Sequence, residues 1–226
     1  MSLPGIQPYL PPTEAELPAN RAGWRIDPRR AVLLVHDMQR YFVDAFPAGQ
    51  EPVLSLTANV RALRERAAAH GVPVAYTAQP GGMSVRDRGL LNDFWGPGMT
   101  VGPEQRAVVE GIEPRPGDTV FTKWRYSAFH RTGLLDLLRD QGRDQLVVCG
   151  IYAHIGVLAT AVESYTNDIE TFLVSDAVAD FTADYHRMAL GYAAERCAVV
   201  LPTRAAVEQL AAARPLTATT VENQPR

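Results

Sequence analysis

The sequence predicts a single α/β domain built as a doubly wound, six-stranded, mostly parallel sheet with helices on both faces. Two observations carry that expectation. Continuous apolar runs such as AVLLV (31–35) and VPVAYT (72–77) have the pattern of strands buried on both faces, which parallel sheets require. Between them lie segments with helical periodicity, and strand, helix, strand in that order is the repeating unit of a parallel sheet. The chain has 226 residues, of which 46% are hydrophobic, enough for one full α/β core and cramped for two.

The elements follow in order. Residues 1–30 are rich in proline and poor in periodic apolar positions, so they are expected to form an arm wrapping the domain, with Trp24 as its anchor. The first strand begins at Ala31. From Glu51 to His70 the apolar positions Leu56, Val60, Leu63 and Ala67 fall on one helical stripe, and Gly71 and Pro73 supply the stop. The second strand follows over 72–77. The segment from Gln79 to Pro103 is rich in glycine and proline yet carries Met83, Leu90, Leu91, Phe94 and Trp95, and is read as a loop folded over the strand ends. A short helix is expected over Glu104–Gly111, a third strand over Thr119–Lys123 and a helix over Thr132–Gln141. The fourth strand, from Gln145, runs into a turn and a helix over Ile155–Thr166. A fifth strand (Ile169–Ser175), a helix (Ala183–Arg196), a sixth strand (Ala198–Leu201) and a last helix (Arg204–Ala212) complete the domain, taken as residues 31–213. Residues 214–226 read as a flexible tail.

Composition narrows the partners. A formal net charge of −3 gives no electrostatic reason to expect nucleic acid or an anionic membrane. No long apolar run and no basic-then-apolar leader is present, which points to a cytoplasmic protein without a membrane span. The two cysteines, Cys149 and Cys197, lie in apolar and helical runs and fit reduced core thiols.

The chemistry concentrates at strand ends. In open α/β sheets ligands bind in the crevice outside the carboxyl ends of the strands. Asp37 follows the first strand, Lys123 the third, and Gly156 opens the helix after the fourth. Each has a plainer reading: a loop-starting aspartate, a solvated lysine, a glycine relieving an awkward backbone angle. At Gly156 a side chain would project into the crevice, and glycine is expected to leave that space empty. Asp176 and Asp180 in SDAVADF lack histidine or cysteine partners and are read as capping the next helix rather than as metal ligands.

This layout, with the segments HDMQRYF, YTAQP, LLNDFWGPGM, KWRYSAFHR and GIYAHIGV, resembles the isochorismatase-like hydrolase superfamily over most of the chain, from Leu17 to Arg196. The implied fold is a three-layer, Rossmann-type sandwich. Many members are amidases with a cysteine nucleophile at the third position. This sequence has Gly156 there and is similar instead to the isochorismatases proper. Cys149, upstream in the strand, is expected to point into the core and cannot substitute.

The resemblance implies hydrolysis of an enolpyruvyl vinyl ether, with Asp37 as proton donor to carbon and Lys123 as its catalytic partner. Burial and the substrate's two carboxylates are expected to raise the pKa of Asp37 against the pull of Lys123. Gln79, Arg88, Tyr152 and the Gly156 backbone are implied to hold carboxylates and ring substituents, with Phe42 and Trp95 as apolar wall. Neither cofactor nor metal is implied. The partner is a dianionic small molecule, and a homodimer or higher homo-oligomer is implied. His36 is read as structural, facing away from Asp37 by strand alternation; His154 and His186 are unassigned. The segments PRRAVLLVHDMQRYF and RMALGYAAERCAVV resemble stand-alone hydrolases of phenazine-type pathways acting on 2-amino-2-deoxyisochorismate, whereas HRTG and LLND resemble the isochorismate group of siderophore pathways. The sequence leaves amino against hydroxyl open. A cysteine-dependent amidase and a catalytically silent assembly partner are the competing readings.

Overall fold

In the computed structural model, which describes residues 3–99 and 102–212, six parallel strands form one sheet. They are β1 (Ala31–His36), β2 (Val74–Ala78), β3 (Thr119–Thr122), β4 (Gln145–Ile151), β5 (Glu170–Ala179) and β6 (Val199–Leu201), in the order β3-β2-β1-β4-β5-β6. The order reverses between β1 and β4. That switch point opens a crevice at the carboxyl end of the sheet, and β1 and β4 deliver Asp37 and the Tyr152–Gly156 turn to it.

Alternation along the central strands explains the three layers. Leu33 and Val35 of β1 point to one face and Val32 and Leu34 to the other, and all four are fully buried. The first face is covered by α2 (Val53–Ala69), through the predicted stripe Leu56, Val60, Leu63 and Ala67, and by α9 (Thr203–Ala211). The second is covered by α6 (Leu134–Asp140), α7 (Leu158–Thr166) and α8 (Ala183–Arg196). β3 is an edge strand and alternates half-buried with exposed residues. No helix among the described residues is long and apolar enough to cross a membrane.

Several expectations change in detail. The loop over the strand ends contains two short helices, α3 (Val85–Arg88) and α4 (Leu91–Trp95), and another short helix, α1 (Arg40–Val43), follows Asp37 closely. The helix expected over 104–111 is only α5 (Pro103–Arg106), because the chain turns extended to pair with the segment after β1: Val109 N–H donates to the Met38 carbonyl (3.0 Å) and Arg40 N–H to that of Ala107 (2.9 Å). The helix after β4 begins as a π-helical turn, Ala153–Val157, before α7. β5 runs four residues beyond Ser175, with a register shift against β4 between Val148 and Gly150. Asp176 therefore lies within a strand. Its carboxylate accepts from Thr203 N–H (2.7 Å) and caps α9, not the helix next in sequence.

The arm lies against the domain, but Trp24 is only half-buried. Ile6 and Ile26 are the residues that enter the core, and the Tyr9 hydroxyl accepts from Asp180 N–H at 2.7 Å. The tail expected over 214–226 lies outside the described residues.

Candidate active site

Asp37 is the first residue past β1 and adopts φ +52°, a left-handed conformation uncommon for a side-chain-bearing residue and tolerated best by Asp and Asn. Its surroundings hold it there. Asp37 N–H donates to Thr77 Oγ1 (3.1 Å), and the same hydroxyl donates to Asp37 Oδ1 (2.6 Å). Parallel register makes this possible, since His36 and Thr77 are paired across β1 and β2. The other oxygen, Oδ2, meets Lys123 Nζ at 2.8 Å. Lys123 itself is fixed by its position: its N–H donates to the Ala78 carbonyl (2.9 Å), continuing the β2–β3 ladder by one residue.

Both members of this ion pair are buried, Lys123 at 2% exposure. Burial by itself pushes the Asp37 carboxyl up; the Lys123 ammonium, with smaller help from His36 and the Thr77 hydroxyl, outweighs it and leaves the carboxyl below the ordinary value of 3.8. Asp37 is therefore a carboxylate at neutral pH.

The long segment after β2 supplies the second cation. Arg88, at the end of α3, donates from Nε to the Gly96 carbonyl (2.9 Å) and from Nη1 to Gln79 Oε1 (3.2 Å). It has no carboxylate partner among the described residues. Gly98, at φ +73°, is bare because a Cβ there would run into the Arg88 guanidinium. Gln79 is positioned by Gln39, a buried side chain that accepts from Gln79 N–H (2.7 Å) and donates to the carbonyls of Gln79 (3.0 Å) and Arg106 (2.9 Å).

The opposite wall is aromatic. Tyr152 stacks on Phe181 (4.2 Å between centroids) and Phe181 on Trp95 (6.0 Å), while Trp95 Nε1 donates to the Tyr126 hydroxyl at 2.8 Å.

All eight residues singled out in the sequence, Asp37, Lys123, Gln79, Arg88, Tyr152, Gly156, Phe42 and Trp95, line one cleft. Leu3, Tyr41, Leu91, Tyr126, Ile151 and Ile155 line it too and were not foreseen in that role. Neither were Thr77 and Gln39, which build the site from behind. Three details differ from expectation, the first being that His36 does not face away from Asp37: the positive φ of Asp37 breaks the strand alternation and His36 Nδ1 lies 3.9 Å from Asp37 Oδ2. The Tyr152 hydroxyl donates to the Phe42 carbonyl (2.7 Å), so that donor is already committed within the protein. The space beside Gly156 is not empty: the His36 imidazole occupies it.

The remaining histidines and cysteines stand apart from this chemistry. His154 Nδ1 lies 2.6 Å from Asp180 and its ring stacks on Tyr185, and His186 is buried between Tyr9 and the Ser175 carbonyl. Cys149 is fully buried, its Sγ against the Leu34 carbonyl (3.5 Å), and burial pushes its thiol far up. Among the described residues no cluster of three or more His, Cys, Asp or Glu side chains could hold a metal ion.

Fold and cleft together define an α/β protein with a cleft at its sheet's switch point, lined by one buried carboxyl, two cations and an apolar wall. The Isochorismatase domain family matches residues 31–205, and the chain belongs to this family of hydrolases. It is 56% identical over 201 residues to the phenazine biosynthesis protein PhzD of Pseudomonas fluorescens, covering 89% of this chain and 96% of that one. It is 54% identical over 210 residues to the isochorismatase of Bacillus subtilis (strain 168), covering 93% of this chain and 67% of the relative. A cysteine hydrolase from Pseudomonas syringae pv. phaseolicola 1448A superposes with a TM-score of 0.77 over 85% of this chain and 97% of its own, at 24% identity, a likeness of fold.

Proposed function

We propose that this protein hydrolyses the enolpyruvyl vinyl ether of 2-amino-2-deoxyisochorismate, or of isochorismate, without a covalent intermediate. The observation that carries the reading is the buried Asp37–Lys123 pair, 2.8 Å apart, in a cleft whose neighbouring turn presents Gly156 and no nucleophilic thiol. Such a site offers an acid but no nucleophile, which is what a vinyl ether needs and an amide does not.

The reaction runs as follows. The Asp37 carboxyl proton passes to the terminal CH₂ carbon, which becomes a methyl group, and the adjacent carbon becomes an oxocarbenium ion. Water adds to that carbon and returns a proton to the Asp37 carboxylate. The hemiketal then breaks its bond to the ring oxygen, which takes the hydroxyl proton, and pyruvate leaves with a trans-dihydro-hydroxyanthranilate or a dihydroxylated diene acid. Positioned acid catalysis is worth about 10² to 10⁴ in rate. Orientation by Arg88 and Gln79 and stabilisation of the cation by the ionised carboxylate supply further acceleration.

Charge balance supports a dianion. The charged side chains lining the cleft are Asp37, Lys123 and Arg88, so two cations stand free once Asp37 is protonated. The name of the PhzD relative favours a place in phenazine biosynthesis, and with it the amino substrate that the sequence resemblance implies for such pathways; that of the Bacillus relative favours isochorismate. A homodimer is also proposed, and sedimentation velocity tests it. The decisive experiment is turnover of both substrates in D₂O: the methyl group of early pyruvate is expected to carry one solvent deuterium. Pyruvate released without that label would exclude carbon protonation, and the ratio of kcat/KM for the two compounds assigns the substrate.

A further inference from the structure

The strongest unexplained feature of the cleft is the way two glycines close around one histidine. Gly156 does not have the left-handed φ that would by itself require glycine. What forbids a side chain there is space. A Cβ on residue 156 would overlap the His36 ring at Cε1, lie 3.1 Å from its Nε2 and lie 3.1 Å from the Tyr126 carbonyl oxygen.

Neither side can move away. His36 is fully buried, its Nδ1 is hydrogen-bonded to the Ile151 carbonyl at 2.9 Å, and its backbone is clamped by Gly150, where a Cβ would strike the main chain of His36 itself. The Gly156 carbonyl accepts from Thr160 Oγ1 (2.7 Å), and Thr160 in turn accepts from Ala128 N–H (2.9 Å), tying the turn to the segment after β3. On its other side the ring faces the Tyr126 backbone carbonyl, which acts on it as a hydrogen-bond acceptor.

We propose that His36 is a specificity-determining residue: its imidazole fills the volume that any side chain on residue 156 needs, so the edge of the cleft beside Asp37 and Lys123 stays bare backbone. Position 156 is then glycine because residue 36 is histidine, and converting this cleft to side-chain nucleophilic chemistry takes a change at both positions. The inference deepens the functional reading above by naming what keeps the site free of a nucleophile, and its test needs no turnover.

That test is a double-mutant cycle read by thermal unfolding. Gly156→Ala alone is expected to lower Tm by about 3–10 °C, the range for overpacking a rigid site in a chain of this size. His36→Ala carries its own cost from the cavity it leaves. In the His36→Ala background the added Gly156→Ala change is expected to cost less than about half of its single-variant loss, because its Cβ enters space the ring has vacated. His36→Val gives the same cycle if His36→Ala does not fold, and His154→Gln, on the same turn but bonded to Asp180, serves as a control that should give no rescue.

Several results would overturn the inference: Gly156→Ala with unchanged Tm, additive losses, or equal rescue by His154→Gln. If Gly156→Ala alone is not recovered as folded protein, recovery of the double variant supports the inference, and its failure beside a folded His36 single variant refutes it. Additive losses together with deuterium-labelled pyruvate would sink this inference and leave the functional reading standing. Coupling without turnover would do the reverse.

Discussion

Replacing Lys123 by methionine should invert the pH dependence of stability in the range where Asp37 titrates. In the wild type the Asp37 carboxyl lies below its ordinary value of 3.8, although burial, the largest single influence on it, pushes upward. A group held below its unfolded value contributes stability that is present above the unfolded pKa and is lost as pH falls through the folded one. Lys123→Met removes the dominant downward influence, at 2.8 Å from Oδ2, and keeps the apolar stem. His36 and the Thr77 hydroxyl are not enough to hold a buried charge, so the carboxyl should move above 3.8. Above its new pKa the variant must then bury an unpaired carboxylate, and breaking a buried pair costs roughly 3–5 kcal/mol. Below it the carboxyl is neutral and much of that cost disappears. Urea unfolding from pH 4.5 to pH 8 should therefore show the gap between wild type and variant widening as pH rises. Parallel curves, with a constant gap across that range, would refute the assignment of Lys123 as the group that keeps Asp37 ionised.

Two further predictions concern the proposed reaction. Asp37→Asn should lose about 10² to 10⁴ of kcat while its affinity for a dianion is retained or rises, because Lys123 is then an unpaired cation in the cleft; full turnover would remove Asp37 as the donor. Binding of an inert dianionic analogue near neutral pH should take up a proton, detected by calorimetry in buffers of different ionisation enthalpy and absent in Asp37→Asn; no uptake in the wild type would mean that the substrate's charge does not drive protonation of Asp37.

What the sequence disclosed and what it withheld have a common physical cause. Strands buried on both faces advertise themselves as unbroken apolar runs, so β1 and β4 and the residues at their ends, Asp37 and Gly156, are legible in one dimension. Lys123 follows β3, an edge strand of alternating half-buried and exposed residues, and is legible only as the charge that ends that short run. Thr77 is not: it is an ordinary strand residue whose importance comes from standing opposite His36 in the neighbouring strand, a register no local pattern encodes. Phe181 was hidden because a register shift carries β5 past the polar residues of SDAVADF, so a segment with the composition of a loop is a strand that sets an aromatic ring behind Tyr152. The Gly156 environment is the clearest limit. Glycine in a turn suggests vacancy, and only the fold brings a ring from 120 positions earlier into the space.

The pairing of Asp37 with Lys123 puts the proposed acid under the control of its own substrate. With the cleft empty, Lys123 holds the carboxyl as a carboxylate, and a buried pair at 2.8 Å is stable against stray protonation. A dianion entering beside Lys123 and Arg88 competes for the same positive charge, and the influence of the ammonium on Asp37 weakens. In the proposed reaction burial, which the ammonium overcomes in the protein alone, would then prevail and the carboxyl would take a proton. Acid strength in this arrangement comes from occupancy and not from a permanently raised pKa, so a neutral vinyl ether of the same shape would meet a carboxylate and no donor. If Asp37 is the donor, its φ of +52° and its bonds to Thr77 would serve the same step: a carboxyl fixed through both its oxygens and its own N–H has little freedom to miss the one carbon it must protonate.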